Sequence, residues 1–317
     1  MAGYIIRRCL QSLLVLVAVT VLIFGILKLA PGNAAQVMAG LSATPEDLAA
    51  IEHRMGLDRP VHVQYWKFIT GLFSGTLKPA TFPDSMIGLV GRKLLASVEL
   101  GFVAIVAAVL LSIPAGIIAA VYRNTVWDYG ISVLSLAGIS IPVFWIALML
   151  MVVFGGWLKW LPISGRGDLR FGLSILTADG WRHILIPAMS LTLIQMAMNA
   201  RLTRSCLLEV LQLDYIKTAR SKGLREIVVI LKHAFRNALL PVVTNVGLTA
   251  GMVFAGAILT ETVTAWPGIG RLVYQAIVQR DEPLLFGLTV IIALFYQVTY
   301  LGVDLLYGYL NPTIVYD

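Results

Sequence analysis

DYIKTARSKGLREIVVILKHAFRNALLPVV, Asp214–Val243, is a basic amphipathic stretch held between two long apolar runs. Lys217, Arg220, Lys222, Arg225, Lys232 and Arg236 are positive, and only Asp214 and Glu226 are negative. A membrane protein keeps such a patch on its cytoplasmic side, where a cytoplasmic partner can also reach it. The apolar runs around it set the fold class. Charge-free stretches occur at Leu10–Leu27, Leu100–Tyr122, Tyr129–Leu158, Ile184–Ala200, Ala238–Thr260 and Leu284–Val303, and a helical span needs roughly 17–25 apolar residues. The expectation is an all-α membrane protein with six transmembrane helices.

Composition agrees. Of 317 residues, 58% are hydrophobic and 13% charged, with a mean hydropathy of +0.85; a soluble domain carries about 25% charged residues. The net charge of +7 reflects topology and contact with the lipid bilayer. No basic domain stands outside the membrane, so no nucleic-acid partner is expected. Cys9 and Cys206 are too few and too far apart for a disulfide framework or a zinc cluster. The N-terminal MAGYIIRRCLQSLLVLVAVTVLIF has the charged start and apolar core of a signal peptide, but the apolar run is long and no A-x-A pattern follows it. It reads as an uncleaved first helix.

Arg7 and Arg8 place the N-terminus in the cytoplasm, and six spans return the C-terminus there. The density of basic residues supports this orientation: eight of the 24 Lys and Arg fall in Arg201–Arg236, and long outside loops are largely exempt from the charge rule. The expected organisation is a first transmembrane helix (1–30), an extracytoplasmic region with short helices (31–93), and a five-helix core (94–312) containing a cytoplasmic loop at 214–241. Within the outside region, TPEDLAAIEHRMGL starts with Thr44 as a cap and Asp47 three residues on, and Gly56 is its stop. A second helix spans Val61–Phe73, whose Tyr65, Trp66, Phe68 and Phe73 suit either an interfacial anchor or a ligand entrance. Lys159–His183 reads as irregular. Val263–Pro283, with AWPGIGR and QRDEP, reads as a surface or re-entrant loop rather than a helix.

The spans are poor in chemistry. Glu99, Arg201, Arg204, Glu261 and Asp304 all lie toward span ends, whereas ion-coupled carriers generally need ionisable groups inside the membrane, at ~2.5–3.5 kcal/mol each. Pro114, Pro142 and Pro187 can kink helices around a pathway or mark irregular packing. There is no G-x-x-x-x-G-K-[ST] phosphate loop and no nucleophile elbow. His53, His62, His183 and His233 lack metal-ligand spacing, so no catalytic, cofactor or metal site is expected. GLTAG at Gly247–Gly251 favours close helix packing in lipid. Ser140, Gln195, Asn199 and Asn245 are candidates either for the pathway or for packing hydrogen bonds.

In the basic segment, Ile227, Ile230, Leu231 and Ala234 recur at helical spacing, with Arg225, Lys232 and Arg236 on another face. Gly223 separates this helix from the Asp214–Lys222 approach. On physical grounds the segment fits an amphipathic helix resting on acidic lipid or a docking element.

TARSKGL followed by HAFRNALLP resembles the cytoplasmic EAA loop of ABC-transporter permeases, in the version carried by dipeptide, oligopeptide and nickel importers. The Glu-Ala-Ala of the general pattern is here Lys217, Thr218 and Ala219 before Gly223, a departure that the peptide-importer branch tolerates. The resemblance, to the B-type subunit, runs in order through YIIRRCLQSLLVL, LKLAPGNAA, MGLDRPVHVQYWKFITGLFSG, ISIPVFWIALML, LPISG, HILIPAMSLTL, ARLTRS, ETVTAWPGIGRL and VDLLYGYLNP. LKPATFPDS and KLLASVEL depart from the usual pattern.

The resemblance implies a type I ABC importer permease fold with a cytoplasmic coupling helix, and a permease subunit for peptides or similar small solutes. It implies pairing with a second homologous permease subunit, two ATP-binding subunits and an extracytoplasmic solute-binding protein, in a bacterial inner membrane. It assigns Ala219, Arg220, Lys222, Gly223, Leu224, Arg225, Ile227, His233 and Arg236 to ATPase docking. For binding-protein contact the candidates are Trp266, Pro267, Gly268, Arg271, Arg280 and Asp281. The reading from a different class is a self-contained channel or ion-coupled secondary transporter whose basic loop touches only lipid.

Overall fold

The computed structural model describes residues 2–29, 35 and 44–310, with backbone alone at 2–5, 54, 55, 250, 252–256 and 303–310. Most of LKLAPGNAA, the final NP of VDLLYGYLNP and the Asp304 side chain fall outside the described residues. The chain is all-α, and among the described residues the only β feature is an isolated bridge, Arg170 with Leu173. The helices are α1 (Ala2–Leu29), α2 (Pro45–Met55), α3 (Val61–Ser74), α4 (Met86–Val121), α5 (Val126–Ser140), α6 (Val143–Leu150), α7 (Ala178–Val210), α8 (Asp214–Ser221), α9 (Phe235–Val263), α10 (Ile269–Val278) and α11 (Glu282–Leu310). Among the described residues, five helical stretches are long and apolar enough to cross a membrane, and six if a bent pair counts as one span.

That pair is the third expected span. It is two helices, Val126–Ser140 and Val143–Trp157, meeting at 105°. Pro142 disfavours the α conformation at the residue before it, and Ile141 is extended, at φ −93° and ψ 131°. Pro114 and Pro187, in contrast, lie inside continuous helices. A second difference is α10. Pro267 and Gly268 mark the start of a helix rather than its absence, and Ile269, Leu272 and Ala276 form a buried stripe at helical spacing. A third is α4, which begins well before the expected Leu100 and so places Glu99 inside a helix.

The described residues divide into two compact units: those up to Ala96 with Pro267–Val298, and Ser97–Trp266 with the residues from Thr299 onward. In the first, Thr44 and Asp47 form the expected capping box of α2, and Gly56 ends it at φ 73°. Phe24 packs edge-on against Phe68 and Phe286, at 5.8 and 6.3 Å between ring centroids, and Phe68 meets Phe286 at a tilt at 5.4 Å, around a core that includes Leu72, Met86, Leu272 and Leu288. Where these helices lie in lipid, such contacts hold them by close packing rather than by removal from water. Asp281 joins the loops above that core. Its Oδ2 accepts from the backbone N–H and hydroxyl of Thr81, both at 2.8 Å, and its Oδ1 accepts from the Leu284 N–H at 3.0 Å.

The second unit is built on α4, α5, α7 and α9. Gly116 lets α4 meet α7, because a Cβ there would lie 2.5 Å from the Thr203 Cβ and 2.6 Å from the Ala200 carbonyl oxygen. Between α7 and α9, Asn245 Nδ2 donates to Asn199 Oδ1 at 2.8 Å and Gln195 Nε2 donates to the Thr249 carbonyl at 3.3 Å. Ser140 donates to its own helix at the Leu136 carbonyl. Of the four polar candidates for the pathway, three therefore join helices and the fourth bonds its own backbone. At the far end of α7, the buried Glu99 carboxylate accepts from Arg166 and from the backbone N–H groups of Ser174 and Ile175, at 2.6 and 2.8 Å.

Candidate coupling site

The basic segment folds as two short helical pieces joined by a turn. Asp214 stands in the first turn of α8, where its charge suits the helix dipole, and Lys217 Nζ donates to it at 2.8 Å. Lys217, in the place of the missing glutamate, is thus tied to its own helix. Helical spacing puts Ile216 and Ala219 on one face, and both are buried. Gly223 then takes φ +74°, with its N–H on the Arg220 carbonyl at 2.9 Å. This left-handed backbone favours glycine. The chain restarts at Glu226, and Arg220 spans the turn: its Nη2 donates to Glu226 Oε1 at 2.6 Å and its Nε to Oε2 at 3.2 Å. The carboxylate beside it holds the Arg220 pKa above its ordinary value. Both side chains are about half exposed, so the pair contributes at most about 1 kcal/mol.

The second piece carries the largest departure from expectation. Val229–Ala234 is π-helical before α9 begins, and π turns are rare and recur at functional sites. The expected stripe of Ile227, Ile230, Leu231 and Ala234 is split by it. Ile230 and Ala234 turn inward with Val229, while Ile227 and Leu231 stay exposed. The inner set joins Ala120 of α4, Leu207 of α7, and Ile216 and Ala219 of α8 in one apolar cluster. The stripe is therefore divided between this subunit's own helices and the surface.

Two polar ties brace the assembly. Asn237 Nδ2 donates to the Tyr215 hydroxyl at 2.7 Å, joining α9 to α8. Arg204 grips Asp128 with two bonds, Nε to Oδ1 at 2.6 Å and Nη2 to Oδ2 at 2.8 Å, and the Asn124 N–H adds a third at 3.0 Å. Asp128 is 2% exposed. The first turn of α5 is thereby fixed to α7 just before α8. Sequence reasoning saw Arg204 near a span end but missed its partner; an acidic residue in a helix's first turn after a polar turn was the available signal.

The outward surface carries Arg220, Lys222, Gly223, Leu224, Arg225, Ile227 and Arg236, all exposed; His233 is half-buried, and Ala219 belongs to the inner cluster. Leu231, expected in the same apolar stripe, joins this surface as well. The result is a small apolar ridge of Leu224, Ile227 and Leu231 among cations, bolted from behind. Such a ridge fits a groove with an acidic rim.

The residues expected to meet a binding protein are placed differently. Arg280 is exposed and Pro267 and Arg271 are half-exposed, whereas Trp266, Gly268 and Asp281 are buried. Trp266 lies 5.6 Å from the Arg166 guanidinium, and Asp281 is spent on the loop bonds described above.

The family model described as binding-protein-dependent transport system inner membrane component matches residues 112–316, and the model for the N-terminal part of such components matches residues 1–84. The dipeptide transport system permease protein of Alkalihalophilus pseudofirmus is 39% identical over 333 aligned positions, covering 100% of each chain. The glutathione transport system permease protein of Salmonella typhimurium is 36% identical, also covering 100% of each. Among solved structures, an inward-facing MetNI methionine ABC transporter matches with a TM-score of 0.59 and 16% identity, over 71% of this chain and 98% of that one. At that identity the likeness concerns the fold, that of type I ABC importer permeases.

Proposed function

The chain belongs to the family of binding-protein-dependent transport system inner membrane components, and on that premise we propose that its 214–241 loop is the lever through which ATP hydrolysis moves the permease. Members of the family are non-enzymatic permease subunits of ABC importers in a membrane; ATP is hydrolysed on separate ATPase subunits, and a solute-binding protein delivers the cargo. The reading as a self-contained channel or carrier finds no support in that membership.

One observation carries the proposal: the ridge of Leu224, Ile227 and Leu231 faces outward while the back of the same element is packed on α4 and α7. An element that is held rigidly behind and apolar in front can transmit a push. In this reading Leu224, Ile227 and Leu231 enter a groove on an ATPase subunit, with Arg220, Lys222, Arg225 and Arg236 at its rim and Gly223 at the tip. His233 and Ala219 support it from within. Closure of the ATPase pair then rocks α7 and α9 between outward- and inward-facing states.

The full assembly in this reading has one homologous permease, two ATPase subunits and one solute-binding protein, with both termini of this chain in the cytoplasm. The named relatives make short peptides the proposed cargo, with specificity held largely by the binding protein. Val263–Pro283, where Arg271 and Arg280 reach solvent, is the proposed contact for that protein, together with the 31–93 region. The test is co-purification. Ile227→Glu with Leu224→Glu should release the ATPase subunits from the membrane complex while leaving the permease pair inserted. Full retention of the ATPases would sink the lever.

A further inference from the structure

The α6–α7 connection ends in a structure that coupling does not use. Arg170 and Leu173 exchange two backbone hydrogen bonds, each 3.0 Å, around Phe171 and Gly172. Phe171 has φ 53° and Gly172 φ 80°, so the pair forms a two-residue hairpin turn with both central residues left-handed. Such turns favour Asn or Asp followed by Gly. A bulky aromatic at positive φ is an outlier, and this one is 87% exposed.

The turn is held from beneath. Arg166 Nη2 donates to the Gly172 carbonyl at 2.9 Å, and the same guanidinium is paired with the buried Glu99 and lies against the Trp266 ring. Ser174 and Ile175, just after the hairpin, donate their N–H groups to the other Glu99 oxygen. Backbone strain persists where its surroundings over-determine it, and it clusters at recognition and switch sites. Here a buried ion pair fixes the base of a hairpin whose tip is an aromatic ring facing solvent.

We infer that the Arg170–Phe171–Gly172 tip is a docking finger for the solute-binding protein: the Phe171 ring enters an apolar pocket on that protein, and Arg170 pairs with a carboxylate at the pocket's rim. This rests on the reading above, in which α8 faces the ATPase. The finger stands at the start of α7 and α8 follows its end, and a helix of 33 residues is roughly 50 Å long. The two therefore belong to opposite sides of the membrane. The Gly165 N–H bonds the Thr264 carbonyl at 3.1 Å, which joins the base of the finger to the segment already assigned to binding-protein contact.

A lipid anchor suits the tip less well. Arg170 lies 5.7 Å from the Phe171 ring, and Asp168, close by, is exposed and bonded through its N–H to Asp179. Burial of the ring in hydrocarbon would drag these charges with it, at a large cost.

The experiment uses the assembled transporter in nanodiscs with its binding protein. A photo-crosslinking residue is placed at Phe171 in one sample and at Arg280 in another. A cross-link from position 171 to the binding protein supports the finger. Capture of lipid or of another permease subunit from position 171 overturns it. A cross-link from 280 with silence at 171 overturns the finger and leaves the wider reading standing, whereas silence at both positions removes both. In parallel, Phe171→Asn keeps a residue that tolerates left-handed backbone and deletes the ring. It should raise the binding-protein concentration needed for half-maximal ATPase stimulation about tenfold, the loss expected from exposing one buried ring, with ATPase activity in the absence of binding protein unchanged. Wild-type stimulation by the Asn variant overturns the proposal.

Discussion

Replacing Gly223 tests the coupling turn through its backbone alone. The residue sits at φ +74°, and a Cβ built on it meets nothing within 4 Å. Within this subunit a side chain therefore has room, and the only intrinsic penalty is conformational. A non-glycine residue in left-handed geometry costs about 1–2 kcal/mol, with Asn cheaper and β-branched residues dearer. The Arg220–Glu226 pair across the turn is exposed and worth at most about 1 kcal/mol, so it cannot hold a valine in place. The apolar anchors on either side, Ile216 and Ala219 before and Val229 and Ile230 after, confine the distortion to the turn. A loss of 1–2 kcal/mol lowers the population of the docking-competent turn by roughly 5–30-fold. The series Gly223→Asn, Gly223→Ala and Gly223→Val is then measured for ATPase co-purification and for ATP-driven uptake in proteoliposomes. Activity should fall in the order Gly, Asn, Ala, Val, with insertion unchanged. Undiminished transport by the valine variant would refute the docking role, and an asparagine variant as poor as valine would refute the backbone argument by pointing to a steric clash with the partner.

Other perturbations address the parts that hold the lever. Asp128→Asn strips Arg204 of its carboxylate; breaking a buried pair costs about 3–5 kcal/mol, and the partial exposure of Arg204 puts the loss at the lower end. The apparent melting temperature in detergent should fall by roughly 6–12 °C, and adding Arg204→Met should recover part of it. Gly116→Val drives a side chain into Thr203 and the Ala200 carbonyl, an overpacking worth ~1–3 kcal/mol, so thermal stability should drop even though the substitution adds apolar surface. The Thr44 hydroxyl, and then its backbone N–H, hold the Asp47 carboxyl below its ordinary value. Because the folded value is the lower one, the cap is intact above the ordinary aspartate range and is lost as pH falls through the lowered folded value. As pH is lowered below the ordinary aspartate range, amides in the first turn of α2 should therefore come to exchange with solvent more freely than base chemistry alone allows, and Asp47→Asn should abolish that response.

Much of this was legible in the residues because the signals were local. The α2 capping box and its Gly56 stop, the Gly223 turn and the long apolar runs each depend on neighbours in sequence. Pro142 was visible as a possible kink, but the 105° break needed the extended Ile141 to be seen. The misses were longer in range or turned on register. Pro267–Gly268 suits both a loop and a helix start, and only the packing of Ile269, Leu272 and Ala276 decides between them. The pairing of Asp128 with Arg204 spans 76 residues, beyond any periodicity. The hydrophobic stripe of the coupling segment was counted at 3.6 residues per turn, a count the π-helical stretch does not keep.

That π-helical stretch makes the direction of the ridge adjustable by a single residue. Each residue of an α-helix advances the chain by 100°, and Val229–Ala234 absorbs a different advance before α9 begins. Deleting one residue there would turn Leu224 and Ile227 to a new azimuth relative to α9 and shift the buried Val229, Ile230 and Ala234 against α4 and α7. The direction in which Leu224 and Ile227 point is thus set by the phase of this joint as well as by the surface they form. Chimeras that graft foreign ATPases onto this permease should be tuned by insertions and deletions at this one joint before any contact residue is changed.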